Sequence, residues 1–171
     1  MTASRASKDN PNFIDPYVPM KAKRVIQGKS SRFAAQIFNM ASVAALCAGM
    51  FALVLGKLLV GQRIGFLPMV LSFPPLMLWL GASIFVYASV AHHPNPRTVQ
   101  YNRWAAYRFY GATGALVVFG QVIYAAFDSW TGLLAVWGIL FLTVVPAGLY
   151  AIWRAQREDW QDLVIETAIN E

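Results

Sequence analysis

Four long stretches without a charged residue or histidine divide the chain. They are residues 33–56, 64–91, 109–127 and 129–153, with 24, 28, 19 and 25 residues respectively. A helix needs about 20 mostly apolar residues to cross a hydrocarbon core about 30 Å thick. The pattern therefore predicts an all-α integral membrane protein, a four-transmembrane-helix bundle that occupies residues 33–153. The predicted spans are about 34–57, 66–91, 108–127 and 130–153.

Composition supports a membrane protein. Hydrophobic residues make up 57% of the chain and charged residues 13%, against about 45–50% and about 25% in soluble domains. The single cysteine, Cys47, lies in a hydrophobic stretch and excludes an internal disulfide framework or a multi-cysteine metal site. The first hydrophobic stretch is too long for the core of a cleaved signal peptide, so we expect the first span to act as an uncleaved insertion signal.

The lysines and arginines are divided unequally between the two ends of the predicted bundle. The two tails and the middle loop carry twelve of them, whereas the two other loops carry only Lys57 and Arg63. Basic residues are retained on the cytoplasmic side. The count predicts that both termini are cytoplasmic and favours a bacterial inner (cytoplasmic) membrane, although an organelle membrane of bacterial descent would give the same pattern.

The two tails have different compositions. Residues 1–32 contain three prolines and seven basic residues, which predicts a basic, largely extended cytoplasmic tail. Residues 154–171 are predicted to continue the fourth span as a cytoplasmic helical tail, whose acidic residues could pair with the basic tail or with a neighbour. The residues considered for partner docking are Phe13, Tyr17, Lys21, Lys23, Arg24 and Trp160.

The two histidines, His92 and His93, are adjacent at the end of the second span. Neighbouring residues on a helix point about 100° apart, and a bis-histidine haem needs ligands on different helices. A metal site would need further histidines or carboxylates nearby. We therefore predict no metal and no cofactor, and interpret both histidines as structural.

The segment between the second and third spans, residues 92–108, is the best candidate for binding. Its cationic and imidazole side chains would suit anionic lipid headgroups on the cytoplasmic side. The residues considered for lipid or phosphate contact are His92, His93, Arg97, Arg103 and Arg108. Its spacing of aromatic and basic residues also fits a helix that lies along the membrane interface.

Small residues recur every fourth position in two of the spans. Such rows allow the backbones of two membrane helices to approach closely. The residues predicted to pack helices together are Ala41, Ala45, Gly49, Gly111 and Ala115.

The sequence shows no chemistry of a common enzyme class. Neither GxGxxG, a P-loop nor GxSxG occurs, and no span contains an acidic residue. We therefore expect no catalysis and no nucleic-acid binding. The expected function is that of a non-catalytic accessory or structural subunit of a larger membrane assembly, with other membrane subunits and anionic lipids as partners. Two alternatives stay open: a small transporter or oligomeric channel, and a lipid-binding protein acting through residues 92–108.

Overall fold

The computed structural model describes residues 21–60, 66–127 and 129–168, which form four long helices and two short strands. The helices are α1 (Gly28–Val60), α2 (Leu67–Ala91), α3 (Pro96–Ala126) and α4 (Ser129–Arg157). The strands are β1 (Lys21–Ile26) and β2 (Leu163–Ala168). All four helices are long and apolar enough to cross a membrane. The prediction of four helices able to span a membrane is confirmed, and the fold is compatible with a multi-pass membrane protein.

Helix α3 begins twelve residues earlier than the predicted third span, so most of the segment 92–108 is helix rather than loop. The side chain of Asn95 caps the helix by accepting a 3.0 Å hydrogen bond from the backbone N–H of Arg97. Pro96 occupies the first helical position, where its missing N–H costs nothing. The sequence indicated an interfacial helix in this segment, and the structure shows that it is continuous with the third span as one helix, which begins at its cap and proline.

The prediction of a helical C-terminal tail is wrong. Helix α4 ends at Arg157, and Leu163–Ala168 is a strand that pairs in antiparallel fashion with Lys21–Ile26. Val25 lies opposite Val164 and Ile26 opposite Leu163. Branched apolar residues of this kind favour strands once a partner strand is available. We refer to the paired strands β1 and β2 as the terminal clasp.

The extended N-terminal tail is also shorter than predicted. Within the described chain its extended part ends at Ile26, and α1 begins at Gly28 rather than after residue 32. The terminal clasp lies at the end of the bundle where α1 and α3 begin and α2 and α4 end. We call this end the tail side, and the opposite end, which contains Lys57, the hairpin side.

Helix α1 contacts each of the other three helices, and α3 packs along α4. The core on the tail side is aromatic. The ring of Phe38, which is fully buried, meets the rings of Trp79, Phe109 and Tyr110 edge to face at centroid distances of 5.2–6.1 Å. Such edge-to-face pairs are favourable beyond the area that they bury.

Buried polar side chains link α1 to each of the other helices. Their hydrogen bonds are Trp79 Nε1–H to Ser42 Oγ at 2.9 Å, Thr98 Oγ1–H to the Ser31 carbonyl at 3.0 Å, and Gln36 Nε2–H to the Ile152 carbonyl at 2.9 Å. Because a buried polar group without a partner is costly, these bonds favour one arrangement of the four helices.

Small residues of α1 and α4 lie at the contacts between helices. A β-carbon added at Gly49 would collide with the indole of Trp137, and one added at Gly148 would press on Val43. Ala41 and Ala45 are partly buried and pack against the core. Three of the five small residues named from the sequence therefore lie at contacts within this chain.

The outer surface of the bundle is apolar. Val117, Phe85 and Leu78 are 81%, 78% and 74% exposed, and every helix carries further exposed large hydrophobic residues. A water-soluble domain rarely exposes contiguous apolar surface of this extent. Such a surface is compatible with lipid hydrocarbon chains around the bundle.

Candidate functional site

A groove lies between the tail-side ends of α3 and α4, with a volume of about 320 Å³. We call it the tail-side groove. Its lining includes Arg97, Tyr101, Trp104, Arg108, Arg154 and Glu158. It brings three guanidinium groups together with one carboxylate, so its side chains carry an excess of positive charge.

Two of the three arginines meet around Glu158 at the outer end of the groove. Arg154 Nε–H donates to Glu158 Oε1 at 2.9 Å, and Arg97 Nη1 lies 3.9 Å from Glu158 Oε2. Arg97 also donates from Nη1 to the carbonyl of Asp159 at 3.0 Å and lies over the ring of Trp160. These contacts fix one side of each guanidinium fork, and a fork has five N–H donors in all.

The third arginine, Arg108, lies deeper along α3 and is half-buried. Its Nη2–H donates to Asn39 Oδ1 of α1 at 2.8 Å. Among the residues that the structure describes, no carboxylate forms an ion pair with it. A guanidinium removed from water without a counter-anion is unfavourable.

Aromatic side chains flank the groove. Trp104 and Tyr150 both line it and are each 59% exposed, while the ring of Tyr101 packs against that of Trp160 at a centroid distance of 6.1 Å. Tryptophan and tyrosine are enriched where a membrane protein crosses the headgroup region. Exposed tryptophan and tyrosine beside the groove are the residue types typical of that region.

The structure separates the five residues that the sequence grouped as lipid or phosphate contacts. Arg97 and Arg108 line the groove, whereas His92, His93 and Arg103 are not among its lining residues. Arg154 and Glu158 were missed because they are about 50 residues away along the chain. Their spacing of four residues, about one helical turn, is the one local signal that could have indicated a fixed pair.

His93 lies in the turn between α2 and α3 and forms a hydrogen bond within it. Its Nδ1 accepts a 3.1 Å hydrogen bond from the backbone N–H of Asn95. Burial lowers the pKa of His93 below its ordinary value of 6.5, so the ring is neutral near pH 7 and can accept this bond. His92 is exposed. Among the described residues, no cluster of three or more His, Cys, Asp or Glu could hold a metal ion.

The residues predicted to dock partners are divided by the terminal clasp. Lys21, Lys23 and Arg24 lie in β1, where Lys23 is opposite Glu166. Trp160 contacts its own chain: its Nε1–H donates to the Ala155 carbonyl at 2.8 Å. Phe13 and Tyr17 lie outside the described residues. The opposite charges of the tails thus meet within one chain, while Lys23 and Arg24 keep exposed side chains.

The second candidate surface is on the exposed side of α3. Gly111, Gly114, Ala115, Val118 and Gln121 recur every three or four residues and are all exposed, so they share one helix face. We call it the α3 outer face. A β-carbon added at Gly111 or Gly114 would meet no atom within 4 Å. Of the two residues of α3 predicted from the sequence to pack helices, Gly111 thus has open space around its β position and Ala115 is exposed.

Together these features define the class, a four-helix bundle whose helices are long and apolar enough to cross a membrane, with an arginine-rich groove at one end. No known protein family, no curated protein and no solved structure matches the chain. Functional conclusions therefore depend on the groove and the α3 outer face themselves.

Proposed function

We propose that this protein is a non-catalytic accessory subunit of a larger membrane assembly, and that the α3 outer face binds a transmembrane helix of another subunit. We place its tails in the cytoplasm and the bundle in a bacterial inner membrane, because twelve of the fourteen basic residues belong to the tails and the middle loop. The observation that carries the proposal is the unoccupied row of small residues on α3.

Small residues already form close contacts between helices inside this bundle. Where helices meet inside the bundle, Gly49 and Gly148 leave the space that Trp137 and Val43 fill. Gly111 and Gly114 leave the same kind of space on α3, but nothing in the described chain enters it. Membrane helices associate through close packing at small residues, since lipid supplies no hydrophobic drive between them. The α3 outer face therefore resembles the small-residue helix contacts inside the bundle, except that its partner helix is not part of this chain.

Gln121 gives this face a polar group. It lies five residues before α3 ends, about 7–8 Å inside that end at 1.5 Å per residue. Its side-chain amide forms no hydrogen bond with the part of the chain that the structure describes. An amide facing lipid gains by bonding to a group on another helix. The expected occupant is thus an apolar helix with a small-residue face and an amide or hydroxyl side chain level with Gln121.

The test combines a disruptive variant with a matched control. Gly114→Leu fills the α3 outer face, whereas Gly81→Leu adds the same side chain at an exposed glycine of α2 that also has open space around it. Tagged proteins are purified in mild detergent from their own membranes and sized on native gels. We expect wild type and Gly81→Leu to co-purify with a stoichiometric partner, and Gly114→Leu to lose at least nine-tenths of it.

A photocrosslinking residue identifies the surface directly. Placed at Val118, it should couple to a transmembrane segment of the partner, whereas at Phe85 on α2 it should couple only to lipid. The amount of each variant in the membrane fraction controls for insertion. A wild-type protein that elutes alone or as a small homo-oligomer would overturn the proposal. Equal partner recovery by Gly114→Leu and Gly81→Leu would overturn the assigned surface.

A further inference from the structure

We propose that the tail-side groove binds a phosphate group, presented by an anionic phospholipid headgroup. The inference is independent of the α3 outer face, which lies further along α3 toward the hairpin side. It depends on the charge of the groove, the incomplete pairing of its arginines, and the aromatic residues that flank it.

The net positive charge of the groove favours the binding of an anion. Arg97, Arg108 and Arg154 face a single carboxylate, that of Glu158. Glu158 is paired with the two arginines at the outer end, so the deeper Arg108 is left with the neutral amide of Asn39. A half-buried guanidinium whose only described partner is neutral lacks the charge that would offset its desolvation. An anion in the groove supplies that charge.

The geometry of the arginines favours phosphate. Each guanidinium is oriented by a bond on one side, through Arg97 Nη1, Arg108 Nη2 or Arg154 Nε. The remaining N–H groups of a fork suit the paired oxygens of a phosphate or carboxylate. Orientation before binding lowers the entropy lost when the ligand is held. The groove is therefore arranged to bind an oxyanion such as a phosphate.

The position of the groove favours a lipid as the source of that phosphate. Trp104 and Tyr150 flank it with exposed rings, and such aromatic residues are enriched where membrane proteins meet lipid headgroups. Exposed apolar residues such as Val117 and Leu142 lie further along α3 and α4 toward the hairpin side, where the acyl chains of a bound lipid would continue. A soluble phosphate compound would use the arginines but not this apolar continuation.

The experiment measures lipid binding to the full chain in detergent by native mass spectrometry. The probes are phosphatidylglycerol, zwitterionic phosphatidylcholine, and inorganic phosphate as the soluble competitor. The test variant is Arg108→Gln, which retains a donor for Asn39 and removes the charge. The control is Arg103→Gln, an exposed arginine on the same helix that does not line the groove. Arg154→Gln provides a second test variant at the outer end.

We expect wild type and Arg103→Gln to bind phosphatidylglycerol equally, and more tightly than phosphatidylcholine. Arg108→Gln and Arg154→Gln should each bind it about tenfold more weakly, as expected for the loss of one charge-assisted contact. Displacement by millimolar inorganic phosphate would support the phosphate site but identify a soluble phosphate compound as its ligand. Equal lipid binding by Arg108→Gln, Arg154→Gln and Arg103→Gln would overturn the proposal, as would equal affinity for the two lipids. Thermal unfolding of each variant shows that it is folded, and Arg154→Gln decides the outcome if Arg108→Gln is not.

Discussion

At the scale of single residues, the structure depends on polar groups that are buried and paired. Ser42 and Trp79 form the clearest pair, because the indole N–H of Trp79 in α2 donates to the hydroxyl of Ser42 in α1 inside the apolar part of the bundle. Both side chains are almost completely buried. Neither has an alternative partner in water, so the bond fixes α1 against α2.

Ser42→Ala should therefore destabilise the bundle. The change leaves the indole N–H of Trp79 buried without an acceptor, and hydrogen bonds between membrane helices contribute about 0.6–2 kcal/mol. We expect the free energy of unfolding, measured by titration with a denaturing detergent, to fall by about that amount. Ser89→Ala is the control, since Ser89 is exposed and its hydroxyl bonds only to Val86 of its own helix. A loss no greater than that of Ser89→Ala would show that the interhelical bond contributes nothing.

At the scale of elements, the terminal clasp is joined to the bundle by a capping contact across the chain. Asp162, just before β2, accepts a 2.7 Å hydrogen bond from the backbone N–H of Gly28 at the start of α1. A carboxylate is favourable there because the first N–H groups of a helix are unpaired and carry partial positive charge. Gly28 is required at this point, since any β-carbon would collide with the carbonyl of Trp160.

Asp162→Ala should loosen the terminal clasp without unfolding the bundle. Loss of a capping side chain costs about 0.5–2 kcal/mol, or roughly 2- to 30-fold in a local opening equilibrium. We expect backbone amides of residues 21–26 and 163–168 to exchange with deuterium faster by a factor in that range, while α2 and α3 are unchanged. Asp159→Ala is the control, because Asp159 contributes its backbone carbonyl to Arg97 rather than its exposed side chain. Identical exchange in the two variants would contradict the capping role.

The same elements show what a sequence can predict here. The four helices were predictable because apolar stretches bounded by charges report directly on burial in lipid, which is a local property. The terminal clasp was not, because residues 163–168 form a strand only through residues 21–26, more than 130 positions away. Arg154 was missed in the groove for a similar reason: its relation to Arg97 and Arg108 is created by the packing of α3 against α4.

At the scale of the whole molecule, the bundle has two unlike ends. The tail side carries the terminal clasp and the groove, together with most of the basic residues. The hairpin side carries little charge; there Lys57 lies over the ring of Trp130 at 5.4 Å. The four helices leave β1 and β2, which precede α1 and follow α4, at the same end of the bundle, where the two strands pair. The charge difference should decide which side faces the cytoplasm.

Cysteine labelling tests this orientation. In a Cys47→Ser background, Gln161→Cys marks the tail side and Phe66→Cys the hairpin side, and both native residues are exposed. With a membrane-impermeant maleimide applied to intact bacterial spheroplasts, we expect labelling at position 66 at once and at position 161 only after permeabilisation. The reverse pattern would mean that the basic residues do not set the orientation. Labelling of both positions from one side would be incompatible with the helices crossing the bilayer, since the two residues lie at opposite ends of the bundle.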